Sequence, residues 1–317
     1  MLASAAFAAA ALCVGVMGFA IQRGATCTVA AMDEVVGRRG CKRLLALAEA
    51  SLWVAGGLLL AQFAHLLPTM PAGYPVNRWT LLGGVLLGLG AWVNRACVFG
   101  AIARFGSGEW AYAATPLGFY LGCLSVPGVF APAAHAALPY GSPVLQAPGW
   151  VAVLFLAFVA WRLAHPLWAP SRSPVVARLW APHGATTVIA LTFLATLLIA
   201  GAWAYTDLLA DLARGMAANR AARCLLFVAL LAGAAWGGWT AGRWRSTRVT
   251  GAQLLRCLAG GVLMGWGSLL IPGGNDGLIL IGMPLLWPYA WVAFATMCLS
   301  IGAAQLLAQR RAAPASA

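Results

Sequence analysis

The chain has 317 residues, 62% of them hydrophobic and 9% charged, with a mean hydropathy of +0.85. Soluble domains carry about a quarter charged residues, so this chain cannot cover a water-facing surface and reads as an integral membrane protein. Its formal charge of +13 does not argue for nucleic acid, because the basic residues stand singly or in pairs between apolar runs.

The apolar runs are close to the ~20 residues that carry a helix across a hydrocarbon core of roughly 30 Å, and the alternating pattern of a barrel is absent. The expected fold class is all-α: a polytopic membrane protein of about nine transmembrane helices. They fall at roughly 2–22, 43–66, 79–95, 110–131, 149–165, 184–204, 221–240, 253–271 and 287–308. The opening run, MLASAAFAAAALCVGVMGFA, lacks a positive leader and is read as the first span, not a signal peptide. With the N-terminus outside, sixteen Arg and Lys residues fall on the inner side and only Arg78, Arg214, Arg220 and Arg223 outside. The positive-inside rule then predicts a cytoplasmic C-terminus. The stretch from His165 to His183, with Pro166, Pro170, Pro174 and Pro182, is expected to be a mobile link.

Two stretches are copies of one another: GGVLLGLGAWVNRACVFG (83–100) and GGVLMGWGSLLIPGGNDG (260–277). Without a gap, the glycines at 83, 84, 88, 90 and 100 face those at 260, 261, 265, 267 and 277, and Cys97 faces Gly274. Each is a glycine-studded apolar run that ends at polar residues and turns. The first lies in the third span and the second in the eighth, so they run in opposite directions. This predicts an inverted repeat with broken or re-entrant segments, an arrangement that places a transporter's site near the midplane. The expected division is a first membrane half (1–135), a central span and linker (136–183) and an inverted second half (184–317).

A related break follows the first span in IQRGATCTVAAMDE. Cys27 and Cys97 both stand just after an arginine (Arg23 and Arg95) at a break in an apolar run, the second also after Asn94. Each alone reads as a small buried residue. Together, in related breaks, they point to sulfur-based hydrogen bonding or thiolate character at a helix N-terminus. Cys13, Cys123, Cys224, Cys257 and Cys298 read as packing residues. No CxxC pair or Cys/His cluster suggests a metal, and no GxxxxGK[ST] loop suggests ATP, so no cofactor and no enzymatic activity are expected.

The stretch GGVLLGLGAWVNRACVFGAIARFGSGEWAY resembles the signature segment of the YeeE/YedE family of sulfur-transport membrane proteins, with its double glycine, GxG, cysteine, glycine and the Arg104-x-Gly106-x-Gly108 tail. IQRGATCTVAAMDE is similar to the family's first cysteine segment, and the second repeat copy to its C-terminal one. The resemblance implies a permease for thiosulfate or a related sulfur or selenium oxyanion, with Cys27 and Cys97 on a narrow path. Gly274 departs from it: members with the full set carry a third cysteine there.

Such a path is physically coherent. Conduction demands weak binding spread over several sites, thiols are weak donors and polarisable partners, and helix N-termini add positive potential without a fixed ion. The expected path residues are Cys27, Cys97, Arg95, Asn94, Gly100, Gly273, Gly274, Asn275 and Gly277. Arg23 and Arg95 attract the anion or only enforce topology. Asp276 repels a dianion at the outer mouth unless protonated or paired, or is a turn residue. Glu49, inside the second span, is functional or makes a structural hydrogen bond. Asp207 and Asp211 read as a solvated outer helix end, and His65, His135, His165 and His183 show no spacing for metal or catalysis. The expected partners are the anion and the bilayer. A competing reading has Cys27 or Cys97 carry persulfide sulfur to a cytosolic, TusA-like sulfur carrier; a third is a scaffold subunit without a path.

Overall fold

The computed structural model describes residues 2–130, 136–168, 179–216 and 219–312. Among these it is all helical, with no strand. The first half contains α1 (Leu2–Arg23), α2 (Thr28–Arg38), α3 (Lys42–Phe63), α4 (Arg78–Asn94), α5 (Val98–Gly106) and α6 (Ala114–Val129). A central helix, α7 (Gly149–Trp168), leads to α8 (Pro182–Ala200), α9 (Tyr205–Ala213), α10 (Arg220–Thr240) and α11 (Gly251–Leu270). The one-turn α12 (Asn275–Gly277) runs into a π-helical turn, Leu278–Gly282, before α13 (Pro288–Ala312). Residues 169–178, with Pro170, Arg172, Pro174 and Arg178 of the expected link, lie outside the described residues, as does His135.

Among the described residues, seven helical stretches are long and apolar enough to cross a membrane: 4–38, 42–63, 78–106, 182–200, 220–240, 251–270 and 288–311. The described residues thus hold seven such stretches, where about nine spans were expected. The expected span at 110–131 is divided, because a 3₁₀ turn at Trp110–Ala113 precedes α6 and leaves that helix 16 residues. The apolar part of α7, Gly149–Ala164, is also short.

The elements repeat as long helix, break, short helix, long helix: α1-α2-α3, α4-α5-α6, α8-α9-α10 and α11-α12-α13. The ungapped register that pairs Gly83 with Gly260 also pairs the residues capping the short helices, Cys27 with Ala204 and Cys97 with Gly274. Glycine sets the packing. A Cβ on Gly83 would lie 2.7 Å from the Gly267 carbonyl, and one on Gly90 2.7 Å from the Gly260 carbonyl. As one index rises the other falls, so α4 and α11 cross antiparallel with backbones touching. Small residues permit this in hydrocarbon, where packing and not the hydrophobic effect drives helix association.

Local chemistry explains the helix ends. Capping boxes start α4 at Asn77 with Thr80 and α11 at Thr250 with Gln253, each pair satisfying two otherwise orphaned backbone donors. The stop of α4 is Arg95 in the left-handed region at φ 60°. Asn94 holds that turn. Its amide donates to the Ala96 carbonyl at 2.8 Å, and its Oδ1 accepts from the Thr115 hydroxyl at 3.0 Å.

Candidate substrate path

The four short helices begin at breaks in longer apolar runs, and their capping residues are all extended. None of the four caps makes a side-chain hydrogen bond to its own helix in the usual N-cap fashion. In α2 and α9 a first-turn amide is instead served from a neighbouring short helix. Thr28, the first residue of α2, donates its backbone N–H to Cys97 Sγ at 3.2 Å. The Cys27 and Cys97 side chains lie within hydrogen-bonding reach of one another. A Cβ on Gly100 would lie 2.5 Å from Cys27 Sγ, so Gly100 is the space the first thiol occupies.

The second half has a matching contact of different chemistry. The backbone N–H of Thr206 in α9 donates to Asp276 Oδ2 at 3.4 Å, and its hydroxyl donates to Asp276 Oδ1. The Gly277 N–H also donates to Asp276 Oδ1, at 3.0 Å. Asp276 is 3% exposed, so it is a buried carboxyl and not a residue at an open mouth. A Cβ on Gly274 would come within 2.7 Å of Thr206 Cβ and 2.9 Å of Asp276 Oδ1. The Thr206–Asp276 pair therefore fills the room that a side chain at 274 would need.

The halves meet between these contacts. Asn275 is fully buried; its Nδ2 donates to Thr28 Oγ1 at 3.4 Å, while its Oδ1 has no partner among the described residues. The Tyr205 hydroxyl donates to the Val98 carbonyl at 2.9 Å.

A cavity opens on each side of this cluster. The larger, about 280 Å³, is lined by Asp207, Asp211, Arg214, Arg223, Gly273 and Gly277 among others. Asp211, expected as a solvated helix end, bridges Arg214 and Arg223 at 2.8 Å each. The smaller, about 10 Å³, is lined by Gly24, Thr26, Cys27 and Arg43. A series of hydrogen bonds and chain neighbours runs between them: Thr206 and Gly277 bond to Asp276, its chain neighbour Asn275 bonds to Thr28, Thr28 bonds to Cys97, and Cys97 lies against Cys27.

Other expected site residues sit apart from this series. Arg95 is exposed at the end of α4. Arg23 packs over the rings of Phe19 and Trp180, 5.8 and 5.7 Å from their centroids. Asn94 is fully occupied with the α4–α5 turn. Glu49 joins α3 to α7 and α8 by accepting from Arg162 Nε at 2.8 Å and pairing with His183 Nδ1, and lines neither cavity. Thr28, Thr206 and Trp203 went unnoticed in the sequence. For Thr28 and Trp203 the one signal was register, which sets Gly201-Ala-Trp-Ala-Tyr opposite Gly24-Ala-Thr-Cys-Thr.

Among the described residues no group of His, Cys, Asp and Glu is arranged to hold a metal ion. No curated protein matches the chain. A family profile described as sulphur transport (Sulf_transp) matches residues 23–303, a stretch that takes in all four breaks and both cysteines. With its membrane-spanning helices, the chain is a multi-pass membrane protein that belongs to the sulphur-transport, YeeE/YedE, family.

Proposed function

We propose that the protein is a permease for a small sulfur-containing anion, thiosulfate or a related sulfur or selenium oxyanion. The anion enters from the larger cavity, passes the N-termini of the short helices and the paired thiols of Cys27 and Cys97, and leaves by the smaller cavity beside Arg43. The larger cavity faces outward and the smaller faces the cytoplasm, as the distribution of arginines implies. The first half (1–135) and the inverted second half (184–317) each contribute two short helices.

The observation that carries this reading is the bond from the Thr28 N–H to Cys97 Sγ, with Cys27 alongside, at 3.2 Å. It sets a soft sulfur and an oriented amide at one point on the series of contacts that runs between the two cavities described. An anion there exchanges its water for donors that are weak singly and several in number, which permits both entry and exit. The central residues Thr28, Cys97 and Asn275 are fully buried, so passage requires these contacts to part.

Uptake of ³⁵S-thiosulfate into proteoliposomes tests the reading. Saturable uptake lost in the Cys27→Ser, Cys97→Ser double variant is the expected result. Wild-type vesicles that take up no anion leave a scaffold. A sulfur adduct found on either cysteine by mass spectrometry after turnover indicates persulfide relay instead.

A further inference from the structure

The second half carries no cysteine at its breaks, but it makes an amide contact of the same kind between its two short helices. That contact lies one residue further along α9 than the register pairs with Thr28, and two further along α12 than it pairs with Cys97. In the first half an N-terminal amide of α2 donates to the Cys97 sulfur. In the second an N-terminal amide of α9 donates to the Asp276 carboxyl. Asp276 stands where an anion crossing from the larger cavity to the cysteines must come close, and its negative charge there opposes the anion.

Three observations bear on how that conflict is met. First, Asp276 forms no salt bridge among the described residues. Its hydrogen bonds come from the Thr206 hydroxyl and the Thr206 and Gly277 amides. Glu34, Glu49, Glu109 and Asp211 each pair with an arginine. An unpaired carboxylate held away from water is costly as an ion and is relieved by taking a proton.

Second, a small cavity of about 10 Å³ is lined by Asp276 together with Trp203, Ala204 and Tyr205 at the start of α9, and otherwise by apolar side chains, Phe99 and Leu280 among them. Helix α9 has nine residues, and its cap, Ala204, has no side chain to serve it. Third, Trp203 is 3% exposed, and its indole Nε1 has no hydrogen-bond partner among the described residues. A buried indole N–H is donor only and costs free energy while unpaired. It calls for an acceptor, and beside the N-terminus of α9, whose Thr206 amide already donates to Asp276, an anion is an acceptor that fits.

The titratable groups that act on Asp276 from α9 are Tyr205 and Asp207, and neither supplies positive charge. Cys97, the cap of α5, acts on Tyr205, and Tyr289 of α13 interacts with Asp207. Arg214 and Arg223 act on Asp207 but are bridged to Asp211 at the cavity wall.

We propose that Trp203, the N-terminus of α9 and the carboxyl of Asp276 form a second anion station, at which the sulfur-containing anion binds together with one proton carried by Asp276. Asp276 takes the proton from water in the larger cavity, with Asp207 at that cavity's wall. The neutral carboxyl then no longer repels the anion. When the anion moves on to Cys97 and Cys27, the proton leaves to water on the cytoplasmic side, one proton for each anion. The station opens from the narrow space now present as the α9 and α12 contacts part.

This inference rests on the permease reading, and the test separates the two. Proteoliposomes are held at zero membrane potential with a potassium ionophore, and ³⁵S-thiosulfate is the probe. Counterflow without a gradient reads the permease. Uptake with an acid-outside gradient, at constant external pH, reads the coupling, and an entrapped pH dye reads the proton. Wild-type protein is expected to show counterflow, uptake raised about five- to tenfold by the gradient, and acidification of the lumen dependent on thiosulfate. Asp276→Asn slows transport but, above all, abolishes gradient stimulation and the dye signal, and Asp276→Glu restores both. Trp203→Phe keeps the stimulation while raising the KM about tenfold. Should Asp276→Asn fail to fold, Thr206→Val, which removes one donor to the carboxylate, shifts the pH dependence of uptake upward. Wild-type counterflow with no gradient effect overturns the proton coupling alone, as does full stimulation in Asp276→Asn. An unchanged KM in Trp203→Phe overturns the anion station. Absence of counterflow in the wild type overturns the permease reading and this inference with it.

Discussion

The Tyr205 hydroxyl donates to the Val98 carbonyl at 2.9 Å, tying the first residue of α9 to the first residue of α5. The register of the repeat maps this bond onto the one from Asn275 to Thr28, which ties the first residues of α12 and α2 at 3.4 Å. Two equivalent bonds thus join the halves at the point where the breaks meet. Tyr205→Phe removes one of them and is expected to lower stability by about 1 kcal/mol, a typical net hydrogen-bond contribution. Thermal unfolding in detergent measures this, and an unchanged midpoint refutes the joining role.

The contact between the Cys27 and Cys97 side chains predicts a reversible block. A mild thiol oxidant should link the pair within one chain, lowering the mass by two hydrogens and stopping ³⁵S-thiosulfate uptake until a reductant is added. Neither Cys27→Ser nor Cys97→Ser should show the block. Uptake that persists in the linked protein places the path elsewhere.

Gly274 answers a steric demand made by Thr206 and Asp276. Gly274→Ala brings a Cβ to 2.7 Å from Thr206 Cβ and 2.9 Å from Asp276 Oδ1. Overpacking of this kind costs about 1–3 kcal/mol. Adding Thr206→Ala removes the Oγ1 that lies nearest the new Cβ and should recover part of the lost stability, although the Thr206 Cβ contact remains. A double variant no more stable than Gly274→Ala shows that the crowding has another source.

Asn94 and Glu49 should affect folding more than transport. Asn94→Ala leaves the Ala96 carbonyl and the Thr115 hydroxyl without the partner each now has, at a cost of about 1–3 kcal/mol. Glu49→Gln breaks the ion pair with Arg162 and weakens the attachment of α7 and α8 to α3. For both, the thermal midpoint should fall while the KM for thiosulfate stays at the wild-type value. A raised KM in either returns that residue to the path.

Much of this protein is written locally. Hydropathy and the rarity of charge dictate membrane helices, since apolar runs of this length have no soluble alternative. The glycine spacing of 83–100 and 260–277 reveals the repeat, because close helix crossings in lipid leave few residues small enough to serve. The breaks at Cys27 and Cys97 are legible because an arginine and a cysteine interrupt an apolar run. The partnerships were not legible. Thr206 and Asp276 lie far apart in the chain, as do Glu49, Arg162 and His183, and no local pattern records which buried polar group will satisfy another. Where a cysteine marked the first half, Ala204 and Gly274 leave the second half chemically silent. Only the packing of α9 against α12 brings the Asp276 carboxyl to the Thr206 amide, beside Trp203. Periodicity is a property of neighbours in sequence, whereas a buried polar group is satisfied by neighbours in space, and that division separates what could be read from what had to be folded.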